Sequence, residues 1–149
     1  MTSDNFAASV AEWVHDVDGA IEAIFRESVQ VLVAETDQLL TQMVYAGPQS
    51  PNYTRTGFLR SVTASTASMP LAHRPQGVPE ADYMADITVT IAGAEIGETI
   101  YVGYTANYAA FVHFGTSRMQ GRPWVQMVAQ RWPSIVAAKE AELRSRLGL

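Results

Sequence analysis

At 149 residues the chain has the length of one domain, and a composition of 48% apolar and 17% charged side chains builds an ordinary core and excludes a disordered segment. The absence of cysteine excludes disulfides, thiol catalysis and thiolate metal sites. No apolar run approaches the roughly 18 residues of a membrane span, and Asp4 stands where a signal peptide would be basic, so a soluble, unprocessed protein is expected. The net charge of −5 is segregated along the chain. Residues 1–45 carry eight acids against Arg26, residues 46–79 three arginines and no acid, residues 80–98 five acids and no base, and residues 99–149 six bases against Glu140 and Glu142. One end of the fold is thereby expected to attract the other end of a neighbouring copy.

Residues 1–45 read as a long amphipathic helix. Phe6, Val10, Trp13, Val17, Ile21 and Ile24 step by three and four, and Phe25, Val29, Leu32, Leu39 and Met43 continue on a slightly rotated face. Thr2 or Ser3 supplies an N-cap, Gly19 is the one residue that threatens continuity, and Gly47-Pro48 is the stop. Unbroken, such a helix is roughly 60 Å long, whereas a compact domain of this length is near 40 Å across. The helix therefore either breaks near Gly19 or carries its free end, with Trp13, Val14 and Val17, onto a partner.

Residues 46–57 form a Pro/Gly/Asn-rich loop, Phe58 to Ser68 an extended segment with Val62 as its strand signal, and residues 69–83 a proline-rich loop containing His73 and Arg74. Ile87, Val89 and Ile91 alternate with Asp86, Thr88 and Thr90, which predicts a half-buried strand. A turn through Gly93 to Gly97 leads to Ile100 and Val102, completing a central antiparallel hairpin. Asn107 is expected to cap a short helix from Tyr108 to Phe114, stopped by Gly115. Pro123 opens a C-terminal helix that runs to about Leu147, with a kink or restart at Pro133. The expected fold class is α+β. A long N-terminal helix leads into a small antiparallel sheet of three to four strands, then a short helix and the C-terminal helix. The chain is one domain over 1–149, with the sheet and helix core at 46–135 and the end of the last helix at 136–149.

Catalytic signatures are missing. Lys139 is the only lysine and follows no glycine-rich turn, the glycines at 93, 97 and 103 do not space as a dinucleotide fingerprint, and no G-x-S-x-G elbow occurs. His15 with Asp16 and Asp18 is a poor metal set, because adjacent helix positions point in different directions. Glu95 and Glu98 as a glycosidase pair would share one solvated turn. A small hydrolase would centre on His113 with Ser117, without an orienting acid nearby. A nucleic-acid-binding or regulatory module would use Arg118, Arg122 and Arg131 beside Phe114, Trp124 and Trp132, against an acidic overall charge.

Two stretches carry a resemblance. Thr56-Gly57-Phe58-Leu59-Arg60-Ser61-Val62 is one. The other runs from Val102-Gly103-Tyr104 through Tyr108-Ala109-Ala110-Phe111-Val112-His113-Phe114-Gly115-Thr116 to Met119 and Arg122-Pro123-Trp124. Together, over roughly residues 54–135, they resemble the tail-component family of long-tailed bacteriophages, also described as neck or tail-completion proteins. His113 stands where that family usually has Glu, and the 69–83 loop is longer than its usual strand connection. The resemblance implies a non-enzymatic virion protein without cofactor or metal. It would form a ring, hexameric by family analogy, in the neck or at the head-proximal end of the tail, and join head to tail. The implied partners are further copies, the neighbouring connector and tail-tube proteins, and DNA touched without sequence reading in the bore, with no membrane; the implied location is the virion, and the host cytoplasm during assembly. The residues expected at subunit or partner interfaces are Trp13, Val17, Arg60, Tyr108, Phe111, His113, Phe114, Thr116, Arg118, Arg122 and Trp124, with the 46–57 and 69–83 loops reaching toward neighbouring rings.

Overall fold

The computed structural model describes residues 3–48, 51, 55–71, 74–79 and 82–148, the side chains of Ser3 and Asp4 excepted. The expected N-cap at Thr2 or Ser3 and any role of His73 lie outside the described residues. Helix α1 (Ser3–Leu40) passes through Gly19 without a break and continues into one π-helical turn, Thr41–Tyr45, before the Gly47-Pro48 stop. Its 38 residues span roughly 57 Å.

Only the C-terminal half of α1 is packed. Val29, Val33, Thr36 and Leu40 follow one another at helical spacing and are all buried. Val29 and Val33 enter a first core cluster with Val62, Ala64, Ile87 and Ile91; Leu40 enters a second with Phe58, Leu59, Ala106 and Trp124. Tyr104 packs against both, its ring edge-on to Trp124 at 5.3 Å. N-terminal to Val17 every described side chain is exposed, including Phe6, Val10, Trp13 and Val14.

A 3-10 turn at Phe58–Arg60 drops both apolar residues into the second cluster and feeds strand β1 (Val62–Ser65). Strand β2 (Tyr101–Tyr104) pairs antiparallel with β1, Val62 opposite Tyr104 and Ser65 opposite Tyr101. Between them lies helix α2 (Tyr83–Gly93), packed on β1. Helix α3 (Ala109–Phe114) ends at Gly115, and the two-residue strands β3 (Gly115–Thr116) and β4 (Met119–Gln120) form a minimal hairpin. Helix α4 (Trp124–Ala129) and helix α5 (Trp132–Leu147) complete the chain.

The α+β class holds, with two sheets of two strands each among the described residues. The expected central hairpin does not form: residues 86–91 lie inside α2, and β2 pairs with β1 instead. The period-2 reading failed because the same segment also carries a helical stripe. Tyr83, Met84, Ile87 and Ile91 fall on one face, where they pack in the first cluster with buried Thr90 nearby. Val89, the remaining member of the alternating set, is 60% exposed.

Arg26 fixes the end of this helix by donating from Nε and Nη2 to the Ala94 carbonyl at 3.1 and 2.8 Å, a cation at a helix C-terminus. Asn107 does not cap α3. Its backbone N–H donates to Gln76 Oε1 (3.0 Å), and Gln76 Nε2 donates to the Thr105 carbonyl (2.7 Å). With Arg74 buried on Asp86 at 2.9 Å, the described part of the 69–83 loop is tied to the chain's own body rather than reaching away from it. The restart expected at Pro133 is present, with the proline in the first turn of α5, where its missing N–H breaks no helical bond.

The helical state of residues 86–91 has a direct check. Val89→Ala replaces a mostly exposed β-branched residue by the best helix former and is expected to raise stability by about 0.5 kcal/mol in urea unfolding. A loss of similar size would place the segment in a strand.

Candidate interaction surface

The surface is built around the hairpin between α3 and α4. Gly115 has φ +85°, and a Cβ there would lie 2.5 Å from the Gly121 nitrogen; a Cβ on Gly121 would lie 2.7 Å from the Phe114 carbonyl. Two backbones therefore cross at a distance only glycine permits. Arg122 N–H then donates to the Val112 carbonyl at 2.9 Å, which locks the chain leaving the hairpin onto the helix entering it. Thr116 Oγ1 accepts from the Arg118 N–H (3.2 Å) and shapes the turn.

This scaffold presents Phe111 and Phe114, the latter 77% exposed, on the outer side of α3, with Arg118 exposed at the hairpin tip. Next to it lies an apolar groove of about 380 Å³. The π-helical turn contributes Val44 and Tyr45, the 3-10 turn Leu59, α3 Phe111 with Tyr108 just before it, and the hairpin Met119, with Arg122 at its side. Arg55, also lining the groove, is held in the frame by donating to the carbonyls of Tyr45 (2.9 Å), Gly47 (2.8 Å) and Pro48 (3.2 Å).

The residues expected at interfaces divide into three groups. Trp13, Phe111, Phe114, Thr116 and Arg118 are exposed, and Val17, Tyr108, His113 and Arg122 partly so. Arg60 is engaged inside the chain: its Nη2 and Nε face the Asp37 carboxylate at 3.1 and 3.4 Å, Tyr83 Oη donates to the same carboxylate at 2.8 Å, and its guanidinium lies over the Tyr45 ring. Asp37 raises the Arg60 pKa, chiefly through that hydrogen bond. Trp124 is not at the surface. It is 1% exposed and fills the second core cluster, against Tyr104 on one side and His113, 5.2 Å away, on the other.

The charge pattern is sharper than its sequence suggested, because much of it is neutralised internally. Glu27 pairs with Lys139 and Arg146 of α5, Glu35 with Arg131, and Glu22 with Arg26. Arg131 is thereby separated in role from Arg118 and Arg122, which have no acidic partner among the described residues. On α1 the acids without a basic partner among the described residues are Glu12, Asp16 and Asp18, all in the exposed N-terminal half.

His113 accepts from the Gln126 N–H at Nε2 (3.4 Å), while its Nδ1 is buried without a partner among the described residues. Neither nitrogen meets a hydroxyl or a carboxylate there, so Ser117 and His113 are not brought together as nucleophile and base. Glu98 closes a turn, accepting from the Glu95 N–H and the Ser68 hydroxyl, both at 2.8 Å, and these two donors hold its carboxyl below the usual range. Among the described residues no group of three or more His, Asp or Glu side chains is placed to hold a metal ion, and no helix is long and apolar enough to cross a membrane. The groove itself was not foreseen from sequence. Tyr45, Leu59 and Met119 come from three distant segments and share no local pattern.

No family model, no curated protein and no solved structure matches the chain.

Two outcomes test the scaffold. Gly121→Ala is expected to destabilise the fold by about 1–3 kcal/mol, since backbone must move to admit the methyl group. Gly47→Ala, with nothing within 4 Å of its Cβ, should stay within about 0.5 kcal/mol in the same denaturation assay. Burial disfavours the His113 cation and holds its pKa below 6.5. Its contribution to stability is therefore intact above pH 6.5 and is lost as pH falls from there toward the folded-state pKa, because the unfolded chain binds the proton more readily. Ring-proton NMR should give a midpoint below 6.5, and His113→Gln should flatten the acid side of the stability profile.

Proposed function

We propose that this chain is a structural virion protein of a tailed phage. In this reading copies form a ring, hexameric by family analogy, in the neck or at the head-proximal end of the tail, and join head to tail. The observation that carries the reading is the pair of unmatched surfaces at opposite ends of one continuous helix. One is the exposed, acidic, apolar-striped half of α1; the other is the Arg-bearing aromatic surface on the α3–α4 hairpin. A protein whose work is to hold copies and neighbours in fixed register needs two such surfaces and a stiff connection between them.

The resemblance to tail-completion proteins supports the same reading through its motif residues. Gly57 to Val62 supply a core turn and strand, and Tyr108 to Arg122 supply the hairpin scaffold. Connector and tail-tube proteins are then the neighbours above and below, and Arg118 and Arg122 are the groups available to DNA in a bore.

Electron microscopy of particles carrying the labelled chain should place it at the head–tail junction. Arg122→Glu should leave the monomer's stability within about 0.5 kcal/mol and yield separate heads and tails, with joined particles reduced on the order of tenfold or more. Normal infectivity of that variant, or label found elsewhere, would remove this reading. Trp124→Ala is unsuitable as an interface probe, because emptying that core site costs about 3–5 kcal/mol.

A further inference from the structure

We infer that the N-terminal half of α1 is a docking arm, and that its receptor is the apolar groove beside Arg122 on a second copy of this chain. The inference deepens the self-assembly part of the proposed function and is independent of the particle in which assembly occurs.

The arm comes first. Residues 5–16 are exposed throughout, and further along α1 Phe25 packs on the first core cluster and Arg26 bonds to the Ala94 carbonyl. Phe6, Val10, Trp13, Val14 and Val17 follow at helical spacing, so the overhang carries one apolar face and not scattered apolar residues. Trp13 is 61% exposed at its middle. A stripe of this kind on an overhanging helix is an unfilled half of an interface.

Charge selects the partner surface. Two arms carry net charge of the same sign, with Glu12, Asp16 and Asp18 on each and no Lys or Arg between Ser3 and Ile21. Arm-to-arm pairing is therefore opposed by like charge. The surface around the groove has the opposite character: Arg122 lines it beside apolar Leu59, Tyr108, Phe111 and Met119, Arg118 stands exposed at the hairpin tip, and neither arginine has an acidic partner among the described residues. The apolar stripe meets the apolar groove, and Asp16 and Asp18, each about 100° around the helix from that stripe, border it and are the acids placed to reach Arg122.

Geometry requires that the two belong to different copies. The groove is lined by Val44 and Tyr45, which directly follow the C-terminal end of the same helix. Residue 10 and residue 45 are separated by roughly 50 Å of continuous helix, so an arm cannot fold back onto its own groove. The contact is head-to-tail, which propagates from copy to copy until rotation closes it into a ring.

The cysteine-free chain makes the test direct. Full-length Val10→Cys and Met119→Cys variants are mixed and treated with a short bismaleimide. A cross-linked dimer is expected in the mixture and not with either variant alone, and Phe111→Cys should replace Met119→Cys. Adding Arg118→Glu and Arg122→Glu to the groove partner should lower the yield on the order of tenfold. Adding Glu12→Lys, Asp16→Lys and Asp18→Lys to the arm partner should then restore it. Because the arm lies outside the folded body, and Arg118 and Arg122 make no ion pair among the described residues, circular dichroism should show both charge variants folded. Self-cross-linking of Val10→Cys alone, absence of the mixed dimer with both groove cysteines, or no rescue by charge reversal would each overturn the inference. Cross-linking without label at a head–tail junction would leave the arm contact standing and remove the phage reading; label at the junction with no mixed dimer would do the reverse.

Discussion

The whole architecture hangs on the mismatch between the length of α1 and the size of the body it organises. Both core clusters are assembled along one face of its C-terminal half, from Val29 to Leu40, and α5 runs antiparallel to that half, with Arg131 at Glu35 and Arg146 at Glu27. N-terminal to Val17 no described element covers the helix, and every described side chain there is exposed. The N-terminal half stays helical because it extends an already nucleated helix, where each added residue gains a backbone bond without a new nucleus. Its large apolar side chains, each worth about 1.5–3 kcal/mol when fully buried, contribute little to the isolated monomer.

Asp37 is where the packed half of α1 is keyed to its surroundings. A single carboxylate receives Arg60 from the 3-10 turn and Tyr83 from the start of α2, and Thr41 donates to the Asp37 carbonyl at 2.9 Å as the helix loosens into its π turn. Arg60 in turn lies over Tyr45, which lines the groove. The network places the groove's floor relative to the sheet, so Arg60 acts on the interaction surface from within the fold. Breaking one member would leave a partly buried charge without its partner, a larger loss than the same change at an exposed pair.

Local signals made several features legible. The long helix, its Gly47-Pro48 stop, the short helix ending at Gly115 and the restart at Pro133 each depend on residues whose backbone preferences act within a few positions. Residues 86–91 were misread because five consecutive β-branched residues favour a strand locally, whereas β1 and α1 offer a surface that only a helical stripe fits. Nothing within that window reports the pairing of β1 with β2. Trp124 failed for a related reason. A tryptophan beside arginine reads as an interface anchor, but composition cannot distinguish burial by a partner from burial by the chain's own Leu40, Phe58 and Ala106. The charge segregation was legible as a sum and became informative only once the internal pairs were removed from it.

The hairpin scaffold determines what a head-to-tail contact between copies can become. Heterologous contact alone does not decide between an open filament and a closed ring; the rotation per step does. That rotation is set by the angle between the arm's axis and the groove of the same chain. Along this path the stiffness is continuous: an unbroken helix, a π turn tied through Arg55 to the following loop, and a hairpin whose crossing backbones leave no room for a side chain at Gly115 or Gly121. A preorganised angle loses little entropy on assembly and favours one closed number of copies over a spread of sizes. The two glycines thus act on assembly through geometry, although neither has a side chain to offer a neighbour.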